Sequence, residues 1–473
     1  MHKHYRVEED SLGRIEVPAD AYWGAHTARA LENFPISGTS LAQHTRLVTA
    51  LAMVKRAAAV TNGRLGVIDA ATAAAIGEAC EAIEAGRFHD QFCVDVIQGG
   101  AGTSTNMNAN EVIANIALET LGHPLGSYEL LHPIDHVNRC QSTNDVYPTA
   151  LKLALAGAVQ DLCQELDKLA GAFHGKGRAF AGIVKMGRTQ LQDAVPMTLG
   201  QEFQAFADTI AEDRQRLEES AALLLECSLG ATAVGTGITA AAGYRERVVD
   251  ALAVISGYRL VPAANLVEAT SDVGVFMHLS GMLKRSAVKM SKISSDLRLL
   301  SSGPQNGLGE LRLPARQAGS SIMPGKVNPV IPETLNQIAF AVAGADTTVT
   351  MAADNGQLQL NAFEPVIGHV LLQGLSWLTN GARILRTHCV EGIEANEELL
   401  QSRVASSAGL ATAFIPVIGY AAAASVAKRA LRDNSPVLEA VTSMGFLDGK
   451  SARIIMDDAA GLTPRVPDGP ATP

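Results

Sequence analysis

The sequence predicts an all-α protein built around a bundle of long helices. Five stretches place apolar residues at alternating steps of three and four, the spacing that forms one apolar stripe along a helix. The composition agrees: 47% of the residues are hydrophobic and only 4% are aromatic, so Ala, Leu, Val and Ile build the core, and Ala and Leu favour helices. The five stripes lie within 148–173, 203–224, 276–300, 335–349 and 367–385.

Each of these helices is too long and too apolar for one small monomeric core. We therefore expect several copies of the chain to share a common helical core, as a homo-oligomer. The fifth stripe carries Gly374 and Gly381, small residues that allow neighbouring helices to approach closely.

The segments on either side of the bundle are predicted to be shorter. Residues 5–45 suggest an irregular segment with a small hairpin, and residues 41–84 show an Ala-rich helical pattern. After about Ala395 the apolar runs shorten, and the Pro-rich end at 462–473 predicts a frayed tail behind a small helical domain. We therefore expect three domains, over 1–141, 142–396 and 397–473.

Charge and cysteine content narrow the class of protein. Acidic residues outnumber basic ones, 48 to 38, and no basic tract is present, so nucleic acid is not an expected partner. The six cysteines lie far apart without metal-ligand spacing and indicate reduced thiols rather than a disulfide framework or a zinc site. Because no signal peptide or membrane-length apolar run is found, we expect a soluble, cytoplasmic protein without a membrane partner.

Four polar segments, around residues 103, 143, 189 and 320, border the predicted long helices. The first reads Gly-Gly-Ala-Gly-Thr-Ser over 99–104. It is either a tight turn that presents Thr103 and Ser104 or the N-terminal cap of a helix predicted over 108–121. Its glycines match neither the dinucleotide fingerprint nor the Walker loop, so nucleotide binding is not predicted.

The fourth polar segment, 319–329, reads Gly-Ser-Ser-Ile-Met-Pro-Gly-Lys-Val-Asn-Pro. Its glycines permit close approach to a ligand, and Pro324 and Pro329 prevent a regular helix through it. In purely structural terms it is a capped helix start. Its two hydroxyls, ammonium, carboxamide and free backbone N–H groups also suit an anion with several oxygens.

The four segments share Thr, Ser, Asn and a single Lys, groups that bind carboxylates. The chain has no Gly-x-Ser-x-Gly elbow and no His-Glu-x-x-His, so a hydrolase is not favoured. This chemistry fits a small dicarboxylate whose α-proton must be removed.

Five blocks of the chain resemble, in order, those of the fumarase/aspartase superfamily, whose members eliminate a group to release fumarate. The blocks are 99–110, 140–149, 187–202, 230–237 and 319–333. The residues at 99–104, 142–145 and 328–333 are similar to the corresponding motifs of the aspartate ammonia-lyase subfamily. Fumarases instead carry a His where this chain has Gln190, so their His–Glu pair with Glu333 cannot form. The stretch 238–243 departs from the family pattern, which affects local geometry rather than the chemistry.

The resemblance implies a role for each candidate residue in the conversion of L-aspartate to fumarate and ammonia by anti elimination. Ser320 matches the general base that removes the Cβ proton. The groups that would stabilise the resulting aci-carboxylate are Thr103, Ser142, Thr143, Ser321 and the backbone N–H groups of Ile322 and Met323. Lys326 and Asn328, assisted by Thr189, would hold the α-carboxylate, and Asn144, Thr189 and Gln190 the leaving amino group.

The resemblance also implies a homotetramer whose sites are each shared by three subunits. It implies no organic cofactor and leaves activation by a divalent cation open. Three alternatives remain: a fumarase, a lyase of the same mechanism acting on a substituted aspartate, and a helical scaffold protein without activity. The intact Ser320, Lys326 and Asn328 argue against the scaffold.

Overall fold

The computed structural model describes residues 4–459, and within them the protein is mostly helical, which confirms the predicted all-α class. The chain divides into two compact units, each considered by itself below. Within the described residues, the first unit comprises 4–164, 213–287 and 338–379, and the second comprises 165–212, 288–337 and 380–459. The three-domain division over 1–141, 142–396 and 397–473 stays a prediction.

The helices account for most of the described chain. They are α1 (Ala25–Asn33), α2 (Thr45–Arg64), α3 (Ala70–Glu84), α4 (Thr103–Thr120), α5 (Thr143–Ala179), α6 (Leu199–Leu223), α7 (Tyr244–Ser256), α8 (Leu266–Ser271), α9 (Gly274–Leu300), α10 (Val330–Asp354), α11 (Glu364–His388), α12 (Glu397–Ser406), α13 (Ile415–Ile418), α14 (Tyr420–Asp433), α15 (Val437–Ser443) and α16 (Gly449–Ala459). All five predicted stripes fall on long helices, namely α5, α6, α9, α10 and α11.

The stripe of α5 shows why these helices form. Its apolar residues recur on one face and are all buried, and they are Leu155, Val159, Leu162, Leu166, Leu169 and Phe173. Burial of such a face supplies most of the stability of a long helix. The helix begins at Thr143, five residues before the predicted start at Pro148. The prediction was wrong there because Pro disfavours helix interiors, whereas this Pro lies only in the second turn.

The strands are short and occur in four separate pairs. Antiparallel pairs are formed by β1 (Tyr5–Asp10) with β2 (Gly13–Pro18), by β3 (Val184–Thr189) with β4 (Gln192–Thr198), and by β7 (Leu311–Arg312) with β8 (Glu394–Ala395); β5 (Glu226–Cys227) and β6 (Val261–Pro262) pair in parallel. The first pair confirms the predicted N-terminal hairpin. The second was missed, because the sequence predicted only a loop between the helices there.

The last helices form a small cluster in the second unit. Helices α14 and α15 pack around Phe414, Val426, Val437 and Val441, all fully buried. The predicted Pro-rich tail at 462–473 lies outside the described residues. None of the helices in residues 4–459 has the length and hydrophobicity needed to span a membrane.

Candidate active site

The start of α4 is shaped by three consecutive residues with left-handed backbone. Gly100, Ala101 and Gly102 have φ angles of +87°, +54° and +88°. A Cβ atom on Gly102 would lie 2.5 Å from the Tyr147 ring, so only glycine fits between α4 and α5. The predicted helix start at Asn108 is therefore wrong: the turn places the carbonyl of Gly102 to accept from the N–H of Asn106 at 2.9 Å, and the helix begins at Thr103.

Thr103 is the first residue of α4, and its side chain is exposed. Its hydroxyl donates to the carbonyl of Gly100 at 2.7 Å. The Gln98 carboxamide oxygen accepts from the backbone N–H of Thr105 at 2.9 Å and so caps the helix. The turn thus presents Thr103 at a helix N-terminus, where the backbone dipoles favour an anion.

The start of α5 is a capping box formed by Ser142 and Asp145. The Asp145 carboxylate accepts from the backbone N–H of Ser142 at 2.9 Å, and the Ser142 hydroxyl accepts from that of Asn144 at 3.3 Å. Asp145 is completely buried, and this burial raises its pKa to about 6. The capping box fixes the orientation of all four residues from 142 to 145.

The loop after β5 holds this helix start through hydrogen bonds to Asp145 and Asn144. The Asp145 carboxylate also accepts from the backbone N–H groups of Gly230 and Thr232, at 3.0 and 2.9 Å. The Asn144 carboxamide donates to the carbonyl of Ala233 at 2.8 Å. The predicted block at 230–237 therefore holds the second polar segment in place.

Thr143 joins the two helix starts. It is nearly buried, and its hydroxyl oxygen accepts from the Asn106 side chain of α4 at 3.1 Å. Asn106 was not selected from the sequence, because an Asn in the first turn of a helix is ordinarily a solvent-facing polar residue.

Thr189 and Gln190 lie at the tip of the β3–β4 hairpin, and both are exposed. The two tip residues, Gln190 and Leu191, have positive φ angles of +54° and +62°, the pattern of a type I′ turn. Asn and Gly usually occupy such turns because other side chains are strained there. The turn holds Gln190 at a defined position despite that strain.

The base of this hairpin is held by a buried carboxylate that sequence inspection missed. Glu310 is only 1% exposed and forms ion pairs with Arg188, with Lys185 at 3.1 Å and with Arg403 at 3.5 Å. Burial acts to raise its pKa, but hydrogen bonding to Arg188 and the nearby positive charges outweigh burial, and the pKa is lowered. Its partners are up to 125 residues away in sequence. Glu310 therefore fixes the strand that leads to Thr189.

The signature loop, residues 319–328, is closed by its own ends. The backbone N–H of Gly319 donates to the carbonyl of Lys326 at 2.8 Å, and the Asn328 side chain donates to the carbonyl of Gly319 at 2.9 Å. A Cβ atom on Gly319 would lie 2.5 Å from the Lys326 carbonyl oxygen, which explains the glycine. Helix α10 begins two residues after the loop.

Ser320 is the second residue of this loop. Its hydroxyl oxygen accepts from the backbone N–H groups of Ile322 and Met323, at 3.1 and 3.0 Å. Two N–H donors on one oxygen stabilise negative charge there, which is the requirement for a serine alkoxide. Ser320 is half-buried, whereas Ser321, Ile322, Met323 and Lys326 are exposed.

The candidate residues thus fall into two groups, each of which lies within one unit. The helix-start group contains Thr103, Ser142, Thr143 and Asn144, and the second group contains Thr189 and Gln190 on the hairpin with Ser320, Ser321, Ile322, Met323, Lys326 and Asn328 on the signature loop. Within residues 4–459, no cluster of three or more His, Cys, Asp or Glu side chains could hold a metal ion.

Comparison with known proteins covers nearly the whole chain. A lyase family model matches residues 13–344, and a model of the fumarase C C-terminus matches residues 410–459. The chain is 55% identical to aspartate ammonia-lyase of Pseudomonas aeruginosa, covering 98% of each chain, and 51% identical to that of Escherichia coli K12, covering 94% of each.

Solved structures agree with the sequence relatives. A fumarate lyase:delta crystallin structure from Brucella melitensis, bound to cobalt, is 54% identical with a TM-score of 0.94, covering 98% of this chain and all of that one. A class II fumarase from Schistosoma mansoni is 35% identical with a TM-score of 0.91, covering 97% of this chain and all of that one. The chain therefore belongs to the fumarase/aspartase superfamily of lyases and, within it, to the aspartate ammonia-lyase family.

Proposed function

We propose that the protein converts L-aspartate reversibly into fumarate and ammonia. The observation that carries this proposal is the 55% identity to an aspartate ammonia-lyase over 98% of both chains. The site chemistry supports it, because the candidate groups are hydroxyls, amides and one ammonium, which suit a dicarboxylate. Gln190 supports ammonia rather than water as the leaving group, since it stands where fumarases carry a histidine.

Ser320 is the proposed general base. A serine hydroxyl is too weak an acid to act as a base in water, so its alkoxide needs stabilisation before it can take a carbon-bound proton. The two N–H donors on its oxygen provide part of that stabilisation. The alkoxide takes the Cβ proton of L-aspartate, and the C–H electron pair moves into the β-carboxylate to form an aci-carboxylate. That pair then forms the double bond of fumarate as the C–N bond breaks and ammonia leaves on the opposite face.

Three sets of groups bind the substrate in this proposal. The aci-carboxylate carries a second negative charge, and donors aimed at it act as an oxyanion hole. Those donors are Ser142, Thr143 and Ser321, joined by Thr103 once its hydroxyl releases the carbonyl of Gly100. The N–H groups of Ile322 and Met323 join them after Ser320 has taken the proton and no longer needs them. Lys326, Asn328 and Thr189 hold the α-carboxylate, and Asn144, Thr189 and Gln190 hold the amino group. Each step uses groups of the chain itself, and no organic cofactor enters it.

The proposed enzyme is a cytoplasmic homotetramer with each site shared by three subunits. Exposed large apolar side chains on the long helices support an oligomer, because a monomer would leave them in water. On α10, Phe340 and Met351 are 69% and 64% exposed, and on α11 Trp377 is 41% exposed. The excess of acidic over basic residues argues against nucleic acid as a partner of the assembly.

The test of the proposed function is a comparison of two substrates. Fumarate absorbs in the ultraviolet, so its release is followed directly after L-aspartate or L-malate is added to the purified protein. We expect fumarate from L-aspartate alone. Release from L-malate alone would establish a fumarase instead, and release from neither would leave a substituted aspartate or an inactive scaffold.

A further inference from the structure

A buried lysine lies at one end of a chain of side-chain amides beneath the helix-start group. Lys55 of α2 is fully buried, and its ammonium donates to the Asn138 side-chain oxygen at 2.8 Å. An ammonium has only N–H donors, so it fixes which end of the Asn138 amide faces it. Burial lowers the pKa of Lys55 to about 7, and because a neutral amine can also accept, the other end of the amide decides its orientation.

The other end of the Asn138 amide is fixed in the same sense. Its nitrogen donates to the backbone carbonyl of Gln141 at 3.2 Å, and a carbonyl can only accept. The Asn138 oxygen must therefore face Lys55. Every further neighbour of that oxygen has to be a donor.

Two asparagines of α4 meet this requirement. The side-chain nitrogens of Asn106 and Asn110 donate to the Asn138 oxygen at 3.2 and 3.3 Å. Their own side-chain oxygens are buried and have no hydrogen-bond partner among residues 4–459. Leaving a buried polar atom unpaired is costly, so this orientation is imposed by Asn138 rather than favoured by the two asparagines themselves.

The consequence reaches Thr143. The Asn106 nitrogen that faces Asn138 also donates to the Thr143 hydroxyl oxygen at 3.1 Å. That oxygen is therefore an acceptor on its inner side, and in the described part of the chain its proton has no acceptor. The residue retains 9% exposure, which leaves an open side to which the proton can be donated.

We propose that Asn106 is a positioning residue that, held by Lys55 through Asn138, makes the Thr143 hydroxyl present its proton to the substrate carboxylate. This inference rests on the proposed function, in which Thr143 stabilises the aci-carboxylate. Without the fixed direction, the hydroxyl would donate inward to an amide oxygen part of the time and be lost as an oxyanion-hole donor.

The test reverses the direction of the hydrogen bond between residue 106 and Thr143 with minimal change in side-chain shape. In Asn106→Asp the new carboxylate is separated from Lys55 by the Asn138 amide. One of its oxygens accepts from the Thr143 hydroxyl and turns the hydroxyl proton inward. We expect kcat with L-aspartate to fall about a hundredfold, the loss typical of one oxyanion-hole donor, with a much smaller change in KM. Asn110→Asp is the matched control, because Asn110 is equally buried and contacts Asn138 but donates its other bond to Met107 rather than Thr143.

A double-mutant cycle keeps the proposal testable if Asn106→Asp does not fold. Asn106→Ala and Thr143→Ala should each lower kcat, and the double variant should be no slower than Thr143→Ala alone. Independent, multiplicative losses would overturn the proposal, as would equal losses in Asn106→Asp and Asn110→Asp. The wild-type protein is assayed alongside: if it releases no fumarate from L-aspartate, the proposed function fails, whereas an active wild type with uncoupled variants refutes the role of Asn106 alone.

Discussion

The two groups of candidate site residues are held in place by different means. The helix-start group is positioned by buried side chains from several elements, so that Asp145 alone accepts backbone N–H groups from three residues. The signature loop relies on bonds between its own residues, chiefly those of Gly319, Ser320 and Asn328. The helix-start group is built into the core, whereas the signature loop of the second group is exposed and self-contained.

This difference matches the two tasks of an elimination enzyme. Groups that donate hydrogen bonds to a carboxylate work best when they are fixed before the substrate arrives, because no energy is then spent on reorganising them. A base must be shielded from water while it is an alkoxide, yet the substrate must enter first. An exposed loop closed by local bonds can keep its internal geometry while it moves as one body. We therefore infer that the helix-start group binds the substrate and that the signature loop brings Ser320, the proposed base, to it.

Removal of the base should have the largest effect. Ser320→Ala leaves the N–H groups of Ile322 and Met323 in place but removes the oxygen that takes the proton, so we expect kcat to fall by about 10²–10⁴-fold. The measurement is the initial rate of fumarate release from L-aspartate. Fumarate binding, followed by calorimetry on the same preparation, should persist. A variant with near-normal turnover would move the base to another residue.

A methyl group on Gly319 should disturb the loop from within. In Gly319→Ala the new Cβ lies 2.5 Å from the Lys326 carbonyl oxygen, so the bond between the two loop ends must break. We expect a loss of turnover of about tenfold or more with an unchanged melting temperature, because a 1 Å misplacement of catalytic groups can cost about 10²-fold.

Gly325→Ala is the matched control for this loop. Gly325 also has a positive φ, +78°, but its added Cβ meets no atom within 4 Å. The cost is then only the left-handed backbone, about 1–2 kcal/mol. Equal losses in the two variants would show that loop closure through Gly319 has no special importance.

Loss of the carboxylate under the hairpin should affect stability more than chemistry. Glu310→Gln leaves Arg188 without its buried partner and Lys185 paired with Glu202 alone, and breaking a buried pair typically costs about 3–5 kcal/mol. We expect a clearly lower melting temperature in scanning calorimetry. Asp193→Asn is the control, since Asp193 is exposed and 3.9 Å from Arg188, and such a pair is worth about 1 kcal/mol or less. Similar melting temperatures for both variants would contradict the structural role of Glu310.

The smallest expected effect is a pH dependence of stability that arises from two histidines in the first unit. The ring nitrogens of His44 and His369 are 2.9 Å apart, so one donates and the other accepts, and at least the accepting ring is neutral. Burial lowers the pKa of His44 to about 4 and also lowers that of His369, against an ordinary value near 6.5. Between about pH 6.5 and 4 the unfolded chain therefore binds more protons than the folded one, and stability falls as the pH falls.

The check on this pair is a series of melting temperatures from pH 7.5 to 4.5. We expect His369→Gln to flatten the decline below pH 6.5, because the variant has lost one of the two groups that resist protonation. A decline as steep as in the wild type would place the acid sensitivity elsewhere.

The sequence sufficed for the long helices and not for what supports the site. Apolar spacing reflects burial directly, so the stripes such as Leu155 to Phe173 were predicted correctly. The start of α4 was missed because Ala101 adopts a left-handed conformation that its residue type does not indicate. Lys55, Asn106 and Asn138 become one network only when three distant segments pack together, and nothing in their spacing reveals it.

Our proposal for the chemistry is that one base, Ser320, acts on one face of the substrate while ammonia leaves from the other. It is tested by running the reaction in reverse, with fumarate and ammonium in D₂O, and examining the aspartate by proton NMR. We expect a single deuterium at Cβ, added anti to the amino group, and at least about a hundredfold slower product formation by Ser320→Ala. Deuterium on both faces, or undiminished product from the variant, would contradict a single serine base.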